Sequence, residues 1–163
     1  MAQAFPKSSF YGFDYHQASI EKARQRAEKA GVQHRVKFEV ATAKDFDERQ
    51  YDLVCFFDCL HDMGDPVGAM QHVRETLDDD GTVLIVEPYA NESLAENLNP
   101  VGRVFYAAST MICTPASRAQ EVGAALGAQA SESKLREVTD AGGFKRFRRA
   151  AQTPFNRVFE VRP

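Results

Sequence analysis

The chain of 163 residues lacks several features that would place it in a specialised class of protein. Its longest apolar runs, Leu53–Phe57 and Val83–Val86, are far too short to span a bilayer, and no apolar signal-peptide segment begins the sequence. Twenty basic residues against 23 acidic ones give a net charge of −3, so a global basic field for nucleic acid is absent. Three cysteines without a CxxC pair predict a reducing, cytoplasmic compartment.

The composition that remains is that of an ordinary globular protein. Apolar residues make up 44% of the chain and charged residues 26%, which excludes a disordered tail or a fibrous repeat. Because domains typically contain roughly 100–200 residues, the length predicts a single domain over residues 1–163.

Strand-like segments alternate with helical ones along the first half of the chain. The predicted strands are Phe10–Asp14, Val36–Val40, Leu53–Phe57, Thr82–Val86, 144–150 and 157–162. The predicted helices cover about 17–30, a segment starting at Asp65-Pro66, and a segment capped by Ser131. Residues 89–128 are predicted to form a helical insert broken at Pro100 and Pro115. This order predicts an α/β fold with a mainly parallel sheet and a C-terminal antiparallel hairpin, and the unbroken apolar run Leu53–Phe57 predicts a strand buried on both faces.

A carboxylate ends the first predicted strand. An acid in the place of Asp14 can accept hydrogen bonds from both hydroxyls of a ribose, but it can equally cap the helix that follows. Nucleotide-binding units place such an acid about 20 residues after a Gly-rich loop. The chain contains neither GxGxxG nor a P-loop.

The segment from Phe56 to Pro66 holds the densest group of chemically functional residues. It leaves one predicted strand and enters a helix, and it should therefore lie over the crevice where open α/β sheets bind ligands. Asp58 could bind a ligand amine, and His61 could act as a base. Alternatively, Asp58 makes turn hydrogen bonds and His61 is a polar residue at the rim.

Two further groups of residues have alternative interpretations. Cys55, Cys59 and His61 follow a spacing that matches no zinc pattern, and a metal site is not expected. The basic, aromatic run Lys145–Arg149 could contact phosphate. A solvated strand face is the more common use of such a run, so a nucleic-acid partner is not favoured.

Taken in order, these segments resemble a known family. Tyr11–Asp14, Val36–Val40, Tyr51–Asp62 and Leu77–Pro88 are similar to motifs II to V of class I S-adenosylmethionine-dependent methyltransferases. The resemblance implies a Rossmann-like fold, and it covers nearly the whole chain.

Three later segments resemble one bacterial subgroup of this family. These segments are Ile112–Pro115, Gly142–Phe144 and the closing stretch from Thr153 to Pro163. Members of the subgroup join an N-terminal winged-helix-like region to the methyltransferase domain.

The resemblance implies that S-adenosylmethionine is the cofactor and assigns it five residues. Asp14 would accept the ribose hydroxyls, and Thr42 and Ala43 would border the adenine, with Thr42 standing where many relatives carry an acid. Phe57 and Asp58 would face the methionine part of the cofactor.

The resemblance gives less detail about the residues that contact the methyl acceptor. His61 would lie near the substrate entrance and could deprotonate the acceptor, while the helical insert would shape the pocket. The methyl acceptor would be a small molecule of unknown identity.

The start of the chain departs from the family pattern. Family members begin with a central strand and a Gly-rich loop, whereas Met1–Pro6 resembles the end of the helix that follows them. The central strand would lie between Phe10–Asp14 and Leu53–Phe57, so we expect an N-terminally truncated domain that lacks this strand and binds S-adenosylmethionine weakly or not at all.

Exposed strand edges would favour association of this domain with itself, as a homo-oligomer. Two alternatives stay open beside methyl transfer: a non-catalytic remnant or swapped assembly that binds no cofactor, and a nucleotide- or nucleic-acid-binding α/β module.

Overall fold

The computed structural model describes residues 1–47 and 49–163. Within these ranges the chain forms two compact units, the first being Met1–Asp47 and the second residues 49–163. No helix among the described residues is both long and apolar enough to cross a membrane.

The first unit is a parallel strand–helix–strand arrangement. Strands β1 (Phe10–Asp14) and β2 (Val36–Val40) pair in parallel over their full lengths, and helix α1 (Gln17–Lys29) connects them. The helix ends at Gly31, which adopts a φ of +68°. The N–H of Val32 donates to the carbonyl of Ala27 at 3.0 Å, which closes the last turn in the manner expected of a glycine cap. The strands and the helix predicted for this region are confirmed.

The second unit contains four strands and four helices among the residues that the structure describes. The strands are β3 (Tyr51–Phe57), β4 (Leu77–Pro88), β5 (Arg146–Gln152) and β6 (Asn156–Arg162). The helices are α2 (Pro66–Thr76), α3 (Pro100–Ala108), α4 (Thr114–Arg118) and α5 (Glu132–Ala141). A 3₁₀ turn spans Leu60–Asp62, and a π-helical turn spans Ser109–Cys113.

The sheet of the second unit has the order β3-β4-β6-β5. Strands β3 and β4 are parallel, whereas β6 is antiparallel to both β4 and β5. The predicted α/β fold, with parallel pairing and a C-terminal antiparallel hairpin, is therefore confirmed.

Two capping predictions explain where helices of the second unit begin. The carboxylate of Asp65 accepts a hydrogen bond from the N–H of Gly68 at 2.8 Å, and Pro66 occupies the first helical position. In the same way, Ser131 caps α5 by accepting from the N–H of Lys134.

Two predictions for the second unit are wrong. Strand β3 is not buried on both faces, because Leu53 and Phe57 are 42% and 56% exposed. It is an edge strand of the described sheet, with β4 as its partner. The insert is also not broken at Pro115, since α3, the π-helical turn and α4 follow one another without a gap. The wider π turn just before Pro115 accommodates a ring that would otherwise collide with the preceding turn.

Candidate active site

The carboxyl ends of β1 and β2 meet at one edge of the first unit. Asp14 pairs with Val40 in the strand register, and the N–H of Ala41 donates to the carbonyl of Asp14 at 3.2 Å. The segment that carries Thr42 and Ala43 therefore continues from the same edge as Asp14. This is the edge where parallel α/β sheets bind ligands.

The polar groups at this edge also have local partners. Oδ1 of Asp14 accepts a hydrogen bond from the N–H of His16 at 2.8 Å, in the turn that leads into α1. The N–H and Oγ1 of Thr42 both donate to Oδ1 of Asp45, at 2.6 and 2.8 Å. Asp14 therefore makes a local turn contact, but the N-cap of α1 is His16, so the capping role considered for Asp14 is wrong. Its predicted contact with a ribose stays a prediction.

The second unit places two predicted site residues at the end of β3. Phe57 is 56% exposed, and Asp58, also exposed, adopts a φ of +58°. The N–H of Asp58 donates to the carbonyl of Val86 at 2.7 Å, which fixes the main chain in this turn. A non-glycine residue in the left-handed region costs conformational energy, and such residues cluster at functional sites.

The next residues of this loop form a buried pair with the end of β4. His61 is 3% exposed and Glu87 is 1% exposed. Nδ1 of His61 lies 2.5 Å from Oε2 of Glu87, and Oε1 of Glu87 accepts from the N–H of Leu60 at 3.0 Å. The interpretation of His61 as a polar rim residue is therefore wrong: a carboxylate holds its imidazole in one orientation.

The orientation of the imidazole determines what its second nitrogen can do. Because Glu87 accepts at Nδ1, the proton of the neutral imidazole belongs on Nδ1 and the lone pair on Nε2. Nε2 lies 3.2 Å from Oδ1 of Asp62, whose side chain is 40% exposed. Oδ1 of Asp62 is itself buried and without a hydrogen-bond partner in the described chain, so it can accept from Nε2 once the imidazole is protonated.

The charges around His61 favour its protonated form. Burial lowers the pKa of His61, but the hydrogen bond and charge of Glu87, with the charges of Asp62 and Asp58, raise that pKa by more. The net pKa lies above the ordinary value of 6.5. A histidine of this kind is well suited to take up a proton near neutral pH.

The helical insert fixes the loop that carries His61. The N–H of Gly127 donates to the carbonyl of His61 at 3.3 Å. Gln120 bonds the loop twice, since its Nε2 donates to the carbonyl of Asp62 at 2.9 Å and its Oε1 accepts from the N–H of Gly64 at 3.0 Å. These bonds anchor both sides of the 3₁₀ turn to a separate part of the chain.

A cysteine of the insert joins this group. Ligating atoms of His61, Asp62 and Cys113 lie within 4.8 Å of one another. Burial, followed by a hydrogen bond to Asp62, raises the pKa of the Cys113 thiol to about 11. The thiol therefore stays protonated at neutral pH, and hydrogen bonding accounts for the group. The prediction of no metal stays a prediction.

Sequence reasoning gave no role to two buried residues beside this site, Glu87 and Arg157. Glu87 was visible as an acid at the end of a strand. Arg157 is 1% exposed and occupies the inward position of an alternating pattern with Phe159 and Val161. A charged residue in an otherwise apolar inward series was the signal that could have identified it.

The basic run at the C-terminal hairpin is engaged within the protein. Arg148 forms an ion pair with Glu160, and Nη2 of Arg149 lies 2.5 Å from a carboxylate oxygen of Glu132. The guanidinium of Arg136 stacks 4.5 Å from the ring centre of Phe147. Internal ion pairs and stacking thus explain this part of the sequence.

Comparison with known proteins identifies the family. The family model described as a methyltransferase domain matches residues 1–142. The chain belongs to this methyltransferase family. The resemblance to class I S-adenosylmethionine-dependent methyltransferases is thereby confirmed, while the bacterial subgroup and the missing Gly-rich motif stay predictions.

Solved methyltransferase structures share the fold. An O-methyltransferase family protein from Burkholderia thailandensis is 16% identical with a TM-score of 0.74, over 99% of this chain and 46% of that one. The O-methyltransferase NcsB1 of neocarzinostatin biosynthesis, in complex with S-adenosyl-L-homocysteine and 1,4-dihydroxy-2-naphthoic acid, is 20% identical with a TM-score of 0.72, over 99% and 44%. The YcgJ protein of Bacillus subtilis is 17% identical with a TM-score of 0.68, over 99% and 86%.

These similarities establish the fold, and they show how much of each known structure the chain covers. The chain spans a little under half the length of the O-methyltransferases to which it is similar. No curated protein sequence matches it.

Proposed function

We propose that this chain carries the catalytic site of an S-adenosylmethionine-dependent methyltransferase that acts on a hydroxyl group of a small molecule. The observation that carries this proposal is the buried pair of His61 and Glu87, located where β4 ends in a member of the methyltransferase family. A hydroxyl acceptor must lose a proton to become a good nucleophile, and an oriented histidine supplies the base.

The residues on the cofactor side fit S-adenosylmethionine in their chemistry. The carboxylate of Asp14 suits the vicinal diol of a ribose. The exposed ring of Phe57 offers an apolar surface, and the Asp58 carboxylate suits an ammonium group. When bound, the cofactor supplies an electrophilic methyl group on a sulfonium.

His61 and its neighbours would handle the acceptor proton. Nε2 of His61 would accept the proton that the acceptor hydroxyl gives up when it is methylated. Glu87 holds the imidazole and stabilises the imidazolium that results. Oδ1 of Asp62, 3.2 Å from Nε2, can then accept a hydrogen bond from the imidazolium.

The test uses the protein translated from the complete reading frame that contains this chain. S-Adenosylhomocysteine formation is measured with a panel of phenols and catechols that includes 1,4-dihydroxy-2-naphthoic acid. We expect His61→Gln to lower kcat by roughly 100-fold or more while the Kd for S-adenosylhomocysteine is unchanged. Asp14→Asn should weaken cofactor binding instead.

Two results would contradict the proposal. An unchanged rate for His61→Gln would remove the histidine from the chemistry. A complete absence of cofactor binding and of turnover in the wild-type protein would favour the non-catalytic alternative.

A further inference from the structure

The ladder between β4 and β6 ends in a charged rung. Glu87 and Arg157 are direct partners in the antiparallel register, two positions beyond the apolar pair of Ile85 and Phe159. Directly opposed residues of an antiparallel pair project from the same face of the sheet. Both Glu87 and Arg157 are 1% exposed, so this rung places two opposite charges inside the protein.

Arg157 is fixed by main-chain carbonyls. Its Nε and Nη2 donate to the carbonyl of Pro88 at 3.1 and 2.9 Å, and Nη2 also donates to the carbonyl of Ala130 at 2.6 Å. The guanidinium also lies 5.3 Å from the ring centre of Phe159. Arg157 therefore ties the end of β4, which carries Glu87, to the segment that precedes α5.

The hydrogen bonds of Arg157 do not neutralise its positive charge. Its acceptors in the described chain are neutral carbonyls, and its buried Nη1 has no hydrogen-bond partner there. Burial and Arg149 lower the pKa of Arg157 by more than Glu87, Glu132 and Glu92 raise it. An arginine nevertheless stays charged in proteins, so the cation acts on Glu87 across the rung.

We propose that Arg157 is a positioning residue of this site, which fixes the strand end bearing Glu87 and places a permanent positive charge opposite Glu87 in the strand pair. A carboxylate that is 1% exposed is costly to keep ionised without a nearby cation. His61 provides that cation only when it is protonated. Arg157 provides it in both protonation states, and its catalytic role rests on the proposed function of His61 as the base.

The other charged groups around His61 and Glu87 determine in which direction the titration of His61 should shift when Arg157 is removed. Asp62 and Asp58 add negative charge near His61, and the thiols of Cys59 and Cys113 lie close to Glu87 and Asp62 respectively. Arg157 is the cation that faces Glu87 from β6. Removing it should make His61 hold its proton more tightly, because the imidazolium then has one positive charge fewer nearby.

The experiment follows the imidazole of His61 by NMR titration, with the resonance assigned by its loss in His61→Gln. The protein is that of the complete reading frame, without acceptor. In Arg157→Met, which keeps an unbranched stem over Phe159, we expect the titration midpoint to rise by about one pH unit. Arg157→Lys retains the charge and should restore most of the difference. Arg162→Gln, which removes an arginine charge from the far end of β6, should leave the midpoint unchanged.

An unchanged midpoint in folded Arg157→Met would overturn the proposal, since a purely structural residue would alter stability alone. If Arg157→Met does not fold, Arg157→Gln is titrated in its place, with the same expectation and the same contrary result. The acid limb of the pH profile of kcat/KM, which reports the enzyme without acceptor, should move with the midpoint. If the titration shifts but no methyl transfer occurs, the charge role stands and the proposed function fails.

Discussion

The carboxylate of Glu87 bonds two neighbouring residues, the imidazole Nδ1 of His61 through Oε2 and the N–H of Leu60 through Oε1. The two distances are 2.5 and 3.0 Å, in surroundings where both side chains are almost fully buried. One acid thus orients both the ring and the main chain that carries it. The stability of this loop is thereby linked to the protonation of the histidine.

We predict that protonation of His61 stabilises the folded protein. Its pKa is above the ordinary value in the folded state. The stabilisation should therefore be complete below the unfolded value of about 6.5 and be lost as the pH rises through the folded pKa. Urea unfolding at a series of pH values between 5.5 and 8.5 measures it. His61→Gln should flatten this dependence, whereas His34→Gln, at an exposed position, should not.

A flat profile in the wild-type protein would contradict this prediction. So would a slope that survives in His61→Gln, because another group would then be responsible for it.

Gln120 provides a test of how the insert holds the site. Gln120→Glu keeps the acceptor for the N–H of Gly64 but removes the donor to the carbonyl of Asp62. Gln120→Met removes both hydrogen bonds. We expect Gln120→Met to lower the free energy of unfolding by about 1–3 kcal/mol. Gln17→Met removes an exposed side-chain bond on α1 and should change it by less than about 0.5 kcal/mol.

The same series has a second readout. If the insert fixes the His61 loop, Gln120→Met should also increase hydrogen exchange of the amides of residues 60–64. Equal stability losses at Gln120 and Gln17, with unchanged exchange, would argue against an anchoring role.

The sequence predicted the bounds of the helices and strands better than it predicted which of their residues are buried. The bounds of β1 and β2, the caps Asp65 and Ser131 and the closing hairpin follow from local patterns, because these patterns act over a few residues. The exposure of Leu53 could not be predicted in this way. Burial of an apolar run depends on which strands flank it, and that is a long-range property of the sheet.

In the candidate site, too, local patterns were predictable from the sequence and long-range contacts were not. His61 was recognisable because histidine and aspartates follow a strand, but its partner Glu87 lies 26 residues further along the chain. Arg157 is further still, and only the register of β6 against β4 places it opposite Glu87. Pairings of this kind are set by the packing of whole strands, which no short motif records.

Thiol reactivity offers a further prediction. The three cysteines are free. Burial, with the charge of Glu87, raises the pKa of Cys59 to about 12, and burial with the Asp62 hydrogen bond raises that of Cys113 to about 11. Because the thiolate is the nucleophile, iodoacetamide at pH 8 should alkylate both residues slowly in the native protein and rapidly in urea. Peptide mass spectrometry measures each site, and rapid native labelling of Cys59 or Cys113 would contradict the prediction.

The outer edge of β3 leads to the last prediction. β3 has β4 as its partner in the described sheet and exposes Leu53 and Phe57. An edge strand with apolar side chains can pair with a second copy, and a lysine on such an edge prevents the pairing. We therefore predict that the 163-residue chain associates as its concentration rises, and that Leu53→Lys weakens this association by at least about tenfold.

Leu98→Lys is the matched control, since Leu98 is 76% exposed but lies in the insert, outside any strand. Sedimentation velocity over a hundredfold range of concentration should show a rising weight-average coefficient for the wild type and for Leu98→Lys, and a nearly constant one for Leu53→Lys. A monodisperse wild-type monomer throughout the range would exclude self-association. Equal effects of the two lysines would show that general apolar exposure, rather than the β3 edge, drives it.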